Sequence, residues 1–102
     1  MKPGKTEMEA IGIAGMKMLL ALYKKGKVSS LKEWGRIAKV GMSQVYNRMR
    51  ILEKLGLISV NETYSPYRVE ITITEKGREL AKYIYEYNEK LKEFIKEVQG
   101  ES

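Results

Sequence analysis

A chain of 102 residues, 43% of them hydrophobic and 31% charged, has room for one packed core and is too short for two ordinary domains. It contains no Cys and no His, and its 13 acidic residues are all Glu, which excludes disulfides and thiolate metal sites and removes the commonest general base. With a net charge of +6, no phosphate-loop glycine pattern, no apolar run of membrane-spanning length and no carboxylate cluster, it reads as a non-enzymatic intracellular protein with no cofactor, metal or membrane contact.

In chain order, Met8, Ile11, Gly15, Met18 and Leu22 recur at spacings of 3, 4, 3 and 4, which predicts an amphipathic helix over residues 7–25. Thr6 is its candidate N-cap and Gly26 its stop. Gly12 and Gly15 each cost a helix interior about 1 kcal/mol relative to Ala, so they are read as places where another helix comes close. A second, short helix is expected over residues 31–39, capped by Ser29 or Ser30, with Leu31, Trp34, Ile37 and Ala38 inward. After a turn at Val40, Gly41 and Met42, a third helix runs over residues 42–55 with Val45, Met49, Leu52 and Leu55 inward, and Gly56 stops it. Residues 57–64 and 67–73 are rich in β-branched and aromatic side chains. Val69, Ile71 and Ile73 alternate there with polar neighbours, the period of a half-buried strand, and Ser65-Pro66 between the runs marks a hairpin turn. Thr74 caps a last helix that continues to about Val98, with a frayed tail from Gly100. Trp34 and the methionines read as core.

The charge is segregated. Residues 24–54 carry nine basic side chains (Lys24, Lys25, Lys27, Lys32, Arg36, Lys39, Arg48, Arg50, Lys54) against Glu33 and Glu53, a local sum of +7. From Glu75 to the end, six basic and seven acidic residues sum to −1. A concentrated positive patch is what binding to phosphates requires, although a solvated basic face has the same composition.

The order helix, helix, short Gly-containing turn, helix, hairpin, helix carries the motif. Glu33-Trp34-Gly35-Arg36-Ile37-Ala38-Lys39-Val40, then residues 43–58 from Ser43-Gln44-Val45 to Gly56-Leu57-Ile58, and then Ile73-Thr74-Glu75-Lys76-Gly77-Arg78-Glu79-Leu80 are similar to three stretches of the winged helix-turn-helix regulators. Over roughly residues 30–80 the chain resembles the MarR-like and ArsR-like groups. It has Lys39 where that family often has Gly, and Gly41 where it often has a Ser or Thr cap. The resemblance implies an α+β fold, mainly α with a small β-hairpin, in a single domain of residues 1–102. An N-terminal arm and helix (1–28) would be followed by the helix-turn-helix and wing (29–74) and a long C-terminal dimerisation helix (75–102). It also implies a nucleoid-associated, cytoplasmic regulator whose partners are double-stranded DNA and a second copy of itself. The sequence names no small-molecule effector.

On a helical wheel Ser43, Asn47, Arg50 and Lys54 lie opposite the inward face, flanked by Gln44, Tyr46 and Ile51. Gln44 and Asn47 suit adenine and Arg50 suits guanine in a major groove, while Ser43 suits a phosphate. Lys32, Arg36 and Lys39 are expected along the DNA backbone. Arg48 lies nearer the inward side, where it snorkels or pairs with Glu53 or Glu62. At the wing, Thr63, Tyr64, Ser65, Tyr67 and Arg68 are candidates for flanking DNA, or else the tyrosines only cover the core. Leu80, Ile84, Tyr87, Leu91, Phe94 and Val98, spaced 4, 3, 4, 3 and 4, form a coiled-coil type seam. With Met8, Ile11 and Gly15 they are the expected dimer interface, unless the chain's own first helix covers them. Two other functions fit the same features: a nucleoid-type architectural DNA-binding protein without strong sequence preference, and a winged-helix protein-interaction module whose basic segment meets an acidic partner.

Overall fold

A computed structural model describes residues 7–100, with side chains from residue 10 onward. The element order is α1 (Glu7–Lys25), β1 (Lys27–Val28), α2 (Leu31–Ala38), α3 (Met42–Lys54), β2 (Ile58–Tyr64), β3 (Tyr67–Ile73) and α4 (Glu75–Gly100). The helices and the hairpin lie where periodicity puts them. Thr6, and the side chain of Met8, fall outside the described residues. α4 extends through Gly100, the residue at which fraying was expected.

The strands form an antiparallel sheet in the order β1-β3-β2. β1 is an edge strand that the sequence did not reveal, pairing Lys27 with Thr72 and Val28 with Ile71. Two residues are too few to show a period, yet Val28 is buried and completes the core beside Ile71. In the hairpin, Ile58 faces Ile73 and Tyr64 faces Tyr67.

The core gathers one face of each element: Ile11, Met18, Leu19 and Leu22 of α1, Trp34 and Ala38 of α2, Val45, Met49 and Leu52 of α3, and Val69, Ile71 and Ile73 of β3. Trp34 is fully buried, and its indole Nε1–H donates to the Met18 carbonyl at 2.8 Å, so the apolar anchor is also a hydrogen-bonded one. Two glycines set the spacing of the helix-turn-helix and of α4. A Cβ on Gly35 would stand 3.0 Å from Val40 O and from Val45 Cγ2, so Gly35 lets α2 approach the turn and α3. A Cβ on Gly77 would overlap the Leu57 carbonyl where α4 crosses the start of the hairpin.

Expectation and structure part company in α1. Gly12 takes φ 67 and ψ 176, so the helix is broken there instead of running straight. The neighbour at Gly12 is the Arg48 side chain of α3, whereas a Cβ on Gly15 would first meet Ile11 Cγ2 of α1 itself at 2.7 Å, with Arg48 Cδ at 3.9 Å, alongside ordinary helix packing of α1 on α3. α4 spans 26 residues, about 39 Å at the usual helical rise. Only Gly77 and Ala81 of α4 are buried, and its far half projects from the body.

Candidate nucleic-acid interface

The turn between α2 and α3 is built by local backbone chemistry. Ser30 Oγ caps α2 by accepting from Glu33 N at 3.1 Å. Lys39 ends α2 in the left-handed conformation, φ 60 and ψ 49, which is the state a glycine at this place would adopt most easily. Lys39 N–H donates to Arg36 O, and Val40 N–H donates to Gly35 O, closing the helix end. Gly41 then starts α3 with no side-chain cap.

α3 presents its buried stripe, Val45, Met49 and Leu52, to the core. The two flanks of that stripe meet different neighbours. Gln44 and Arg48 fall on the flank beside α1, while Tyr46, Arg50 and Glu53 fall on the flank beside the wing. Between them Ser43, Asn47 and Lys54 are exposed.

Arg50, expected as a free guanine reader, is engaged by the protein itself. Its Nη2 donates to both oxygens of Glu62 at 2.8 and 3.0 Å, its Nη1 donates to Glu53 Oε1 at 2.9 Å, and its Nε and Nη2 donate to the Tyr46 hydroxyl. The guanidinium also lies 4.9 Å from the Tyr46 ring centroid. The reason is strand parity: Ile58, Val60 and Glu62 alternate onto the face of β2 that packs toward α3, so the Glu62 carboxylate, only 13% exposed, ends that stripe and meets Arg50. The Tyr67 hydroxyl donates to Glu62 Oε2 at 3.0 Å from the other side. The Arg50 hydrogen bonds hold the Glu62 carboxyl below its ordinary range, and these partners in turn raise the Arg50 pKa. Desolvation, with Glu62 nearby, raises the Tyr67 phenol.

Arg48 has neither of the carboxylate partners expected for it. Its side chain lies along α1 beside Gly12 and Gly15, and among the described residues Nε is buried without a hydrogen-bond partner. The Ile58, Val60, Glu62 alternation was the sequence signal that distinguished the two arginines.

Of the nine basic residues between positions 24 and 54, Lys25 pairs with Glu33, Lys27 with Glu70, and Arg50 with Glu53 and Glu62. Among the described residues Lys32, Arg36, Lys39 and Lys54 are exposed and make no ion pair, while Lys24 lies over the Tyr85 ring. At the wing, Thr63, Tyr64, Ser65, Tyr67 and Arg68 are all exposed, and the Tyr64 and Tyr67 rings lie 5.6 Å apart. Neither ring is buried in the core.

The residues expected at a dimer interface divide in two. Ile11 and Gly15 are buried within the chain's own core, and Leu80 and Ile84 pack partly against it. Tyr87, Leu91, Phe94 and Val98 are exposed, together with Ile13, Tyr83 and Ile95. α1 therefore covers only the near half of the α4 seam.

No group of three or more acidic side chains able to hold a metal exists among the described residues, and no helix there is long and apolar enough to cross a membrane. No family model and no curated protein matches the chain. Solved structures do. BpsR of Bordetella bronchiseptica, whose DNA binding is regulated by 6-hydroxynicotinic acid, is 21% identical with a TM-score of 0.74, over 83% of this chain and 64% of BpsR. The MarR family transcriptional regulator SPO1453 of Silicibacter pomeroyi is 13% identical with a TM-score of 0.67, over 80% of this chain and 57% of its own. FabT of Streptococcus pneumoniae, solved in complex with DNA, is 18% identical with a TM-score of 0.64, over 87% of this chain and 69% of FabT. The chain thus spans less than two thirds of the first two of these regulators. At these identities the likeness is one of architecture: the chain has the winged-helix fold of the MarR-family transcriptional regulators.

Proposed function

We propose that the protein is a dimeric transcription regulator that binds double-stranded DNA, with α3 in the major groove and the wing on flanking DNA. The observation that carries this reading is the set of exposed cations Lys32, Arg36, Lys39 and Lys54, without an ion pair among the described residues, bordering the exposed polar face of Ser43 and Asn47. Phosphate contacts from such cations position a helix, and Asn47 reads an adenine edge. The DNA complex of FabT and the DNA binding of BpsR support the same use of the fold.

Dimerisation rests on α4. Tyr87, Leu91, Phe94 and Val98 leave a continuous apolar seam in water, of the kind that marks an interface. A two-fold pair would set two copies of α3 in successive major grooves about 34 Å apart and call for inverted half-sites. Sedimentation of the full chain and of one ending at Tyr87 tests this, alongside selection of bound genomic fragments. A full-length monomer at micromolar concentration removes both the dimer and the palindrome.

One observation favours a second reading, an architectural protein without strong sequence preference: Arg50 is tied to Glu62, so fewer side chains are left to read bases. Equal affinity for selected and random duplexes would establish it over the first.

A further inference from the structure

Three cationic side chains, one each from α1, the turn and α3, line one cleft on the α1 flank of α3. Ile13 and Lys17 of α1, Lys39 and Gly41 of the turn, and Gln44 and Arg48 of α3 line it, and among the described residues no carboxylate does. Its volume is about 360 Å³.

Arg48 reaches the cleft along α1. Its Cδ lies 3.9 Å from the place of a Cβ on Gly15, and its Nη2 lies 3.7 Å from the place of one on Gly12. The break in α1 at Gly12 occurs at the level of the guanidinium. Among the described residues Arg48 Nε is buried with no acceptor and the guanidinium has no ion pair. Buried donors are as a rule paired, and buried cationic ones more so, because water no longer solvates them. Lys17 Nζ donates to Lys39 O at 3.3 Å, which brings the α1 ammonium to the turn. Gly41, the start of α3, has no side-chain cap and lines the same space, so the positive end of that helix adds to the three charges.

A guanidinium and two ammonium groups around a concave space, with no carboxylate among the described residues that line it, match the oxygens of a phosphate or carboxylate. We propose that this cleft is an oxyanion site in which Arg48, Lys17 and Lys39 hold one such group. The group comes from the DNA backbone or from a small free oxyanion. The site stands on its own geometry and does not require the DNA reading.

The test is NMR of the full chain, following the Arg48 Nε–H signal, assigned with Arg48→Lys. Inorganic phosphate, and separately a short duplex, replaces NaCl at constant ionic strength. A saturable shift of Arg48 with phosphate is expected, and Lys17→Ala should raise its midpoint by about fivefold, the loss of one charge-assisted bond. A shift with duplex alone assigns the group to the DNA backbone. No shift of Arg48 in either titration overturns the proposal, and so does an equal shift of the exposed wing residue Arg68, which would mean diffuse ion binding. If the duplex moves Ser43 and Asn47 but not Arg48, the oxyanion site falls and the DNA reading survives. If no duplex binds, the phosphate titration alone decides.

Discussion

Salt is the sharpest probe of the basic face, because it counts phosphate contacts. Lys32, Arg36, Lys39 and Lys54 are exposed and make no ion pair among the described residues, so each has its full charge to offer. If each meets one phosphate, a dimer makes about 8 contacts, and log K should fall against log salt with a slope of about −7. Between roughly 50 and 200 mM that is a loss of about 10⁴ in affinity. Lys39→Ala removes one contact per protomer and should make the slope shallower by about 1.8 for the dimer. Lys27 is the internal control. It is already paired with Glu70 at 3.2 Å, so Lys27→Ala should leave the slope nearly unchanged. Fluorescence anisotropy with a labelled duplex over a salt series measures all three. A wild-type slope shallower than about −2 would refute the electrostatic argument. An equal response to Lys27→Ala and Lys39→Ala would refute the sorting of paired from unpaired cations.

Three further outcomes follow from particular contacts. Asn47→Ala should cost about 1–3 kcal/mol on the preferred site and much less on random DNA, read by competition with unlabelled duplexes; equal losses would deny Asn47 a role in specificity. Gly77→Ala would gain about 1 kcal/mol from helix propensity but sets a methyl on the Leu57 carbonyl, and overpacking of about 3 kcal/mol should win. Calorimetry at fixed protein concentration should then show a net fall in Tm of about 8–16 °C, and an unchanged Tm would sink that packing account. Glu62→Gln should strengthen DNA binding at low salt by removing a negative charge and releasing Arg50. It should also flatten acid sensitivity: the folded Glu62 pKa lies below its unfolded value, so its stabilisation is present at neutral pH and lost as pH falls through the ordinary carboxylate range toward the depressed folded pKa. Acid unfolding that is identical in the two proteins would contradict the Arg50–Glu62 bond.

The helices and the hairpin were legible because their signals are periodic and many residues long. The 3, 4, 3, 4 stripe of α1 and the alternation of Val69, Ile71 and Ile73 each repeat enough to be read. Caps were legible for the same reason that they work: Ser30 and Thr74 carry short oxygens at helix starts, and Thr74 Oγ1 accepts from Gly77 N at 3.0 Å. β1 was not, since a two-residue strand has no period and exists only because β3 lies beside it. Nor was the break at Gly12, where the sequence offers a glycine but not which neighbour uses the space. At the site, the wheel separated inward from outward residues but treated α3 as a lone cylinder. It therefore put Arg50 in the groove and offered Glu62 to Arg48, whereas the wing takes Arg50.

That exchange bears on how α3 would read DNA. A helix clasped on one flank by the wing, through Glu62 and Arg50, and on the other by α1, through Arg48, still exposes Ser43, Gln44, Asn47 and Lys54. Asn47, and Gln44 nearer α1, carry the paired donor and acceptor that an adenine edge demands. Arg50 belongs in the first instance to wing placement: its bonds run from Tyr46 and Glu53 on α3 to Glu62 on β2, and Tyr67 closes the set from β3. Moving the wing would change which atoms Arg50 can reach, so wing position and base reading are coupled through one guanidinium. Specificity in this fold would then respond to substitutions at Tyr67 or Glu62, even though neither needs to touch a base.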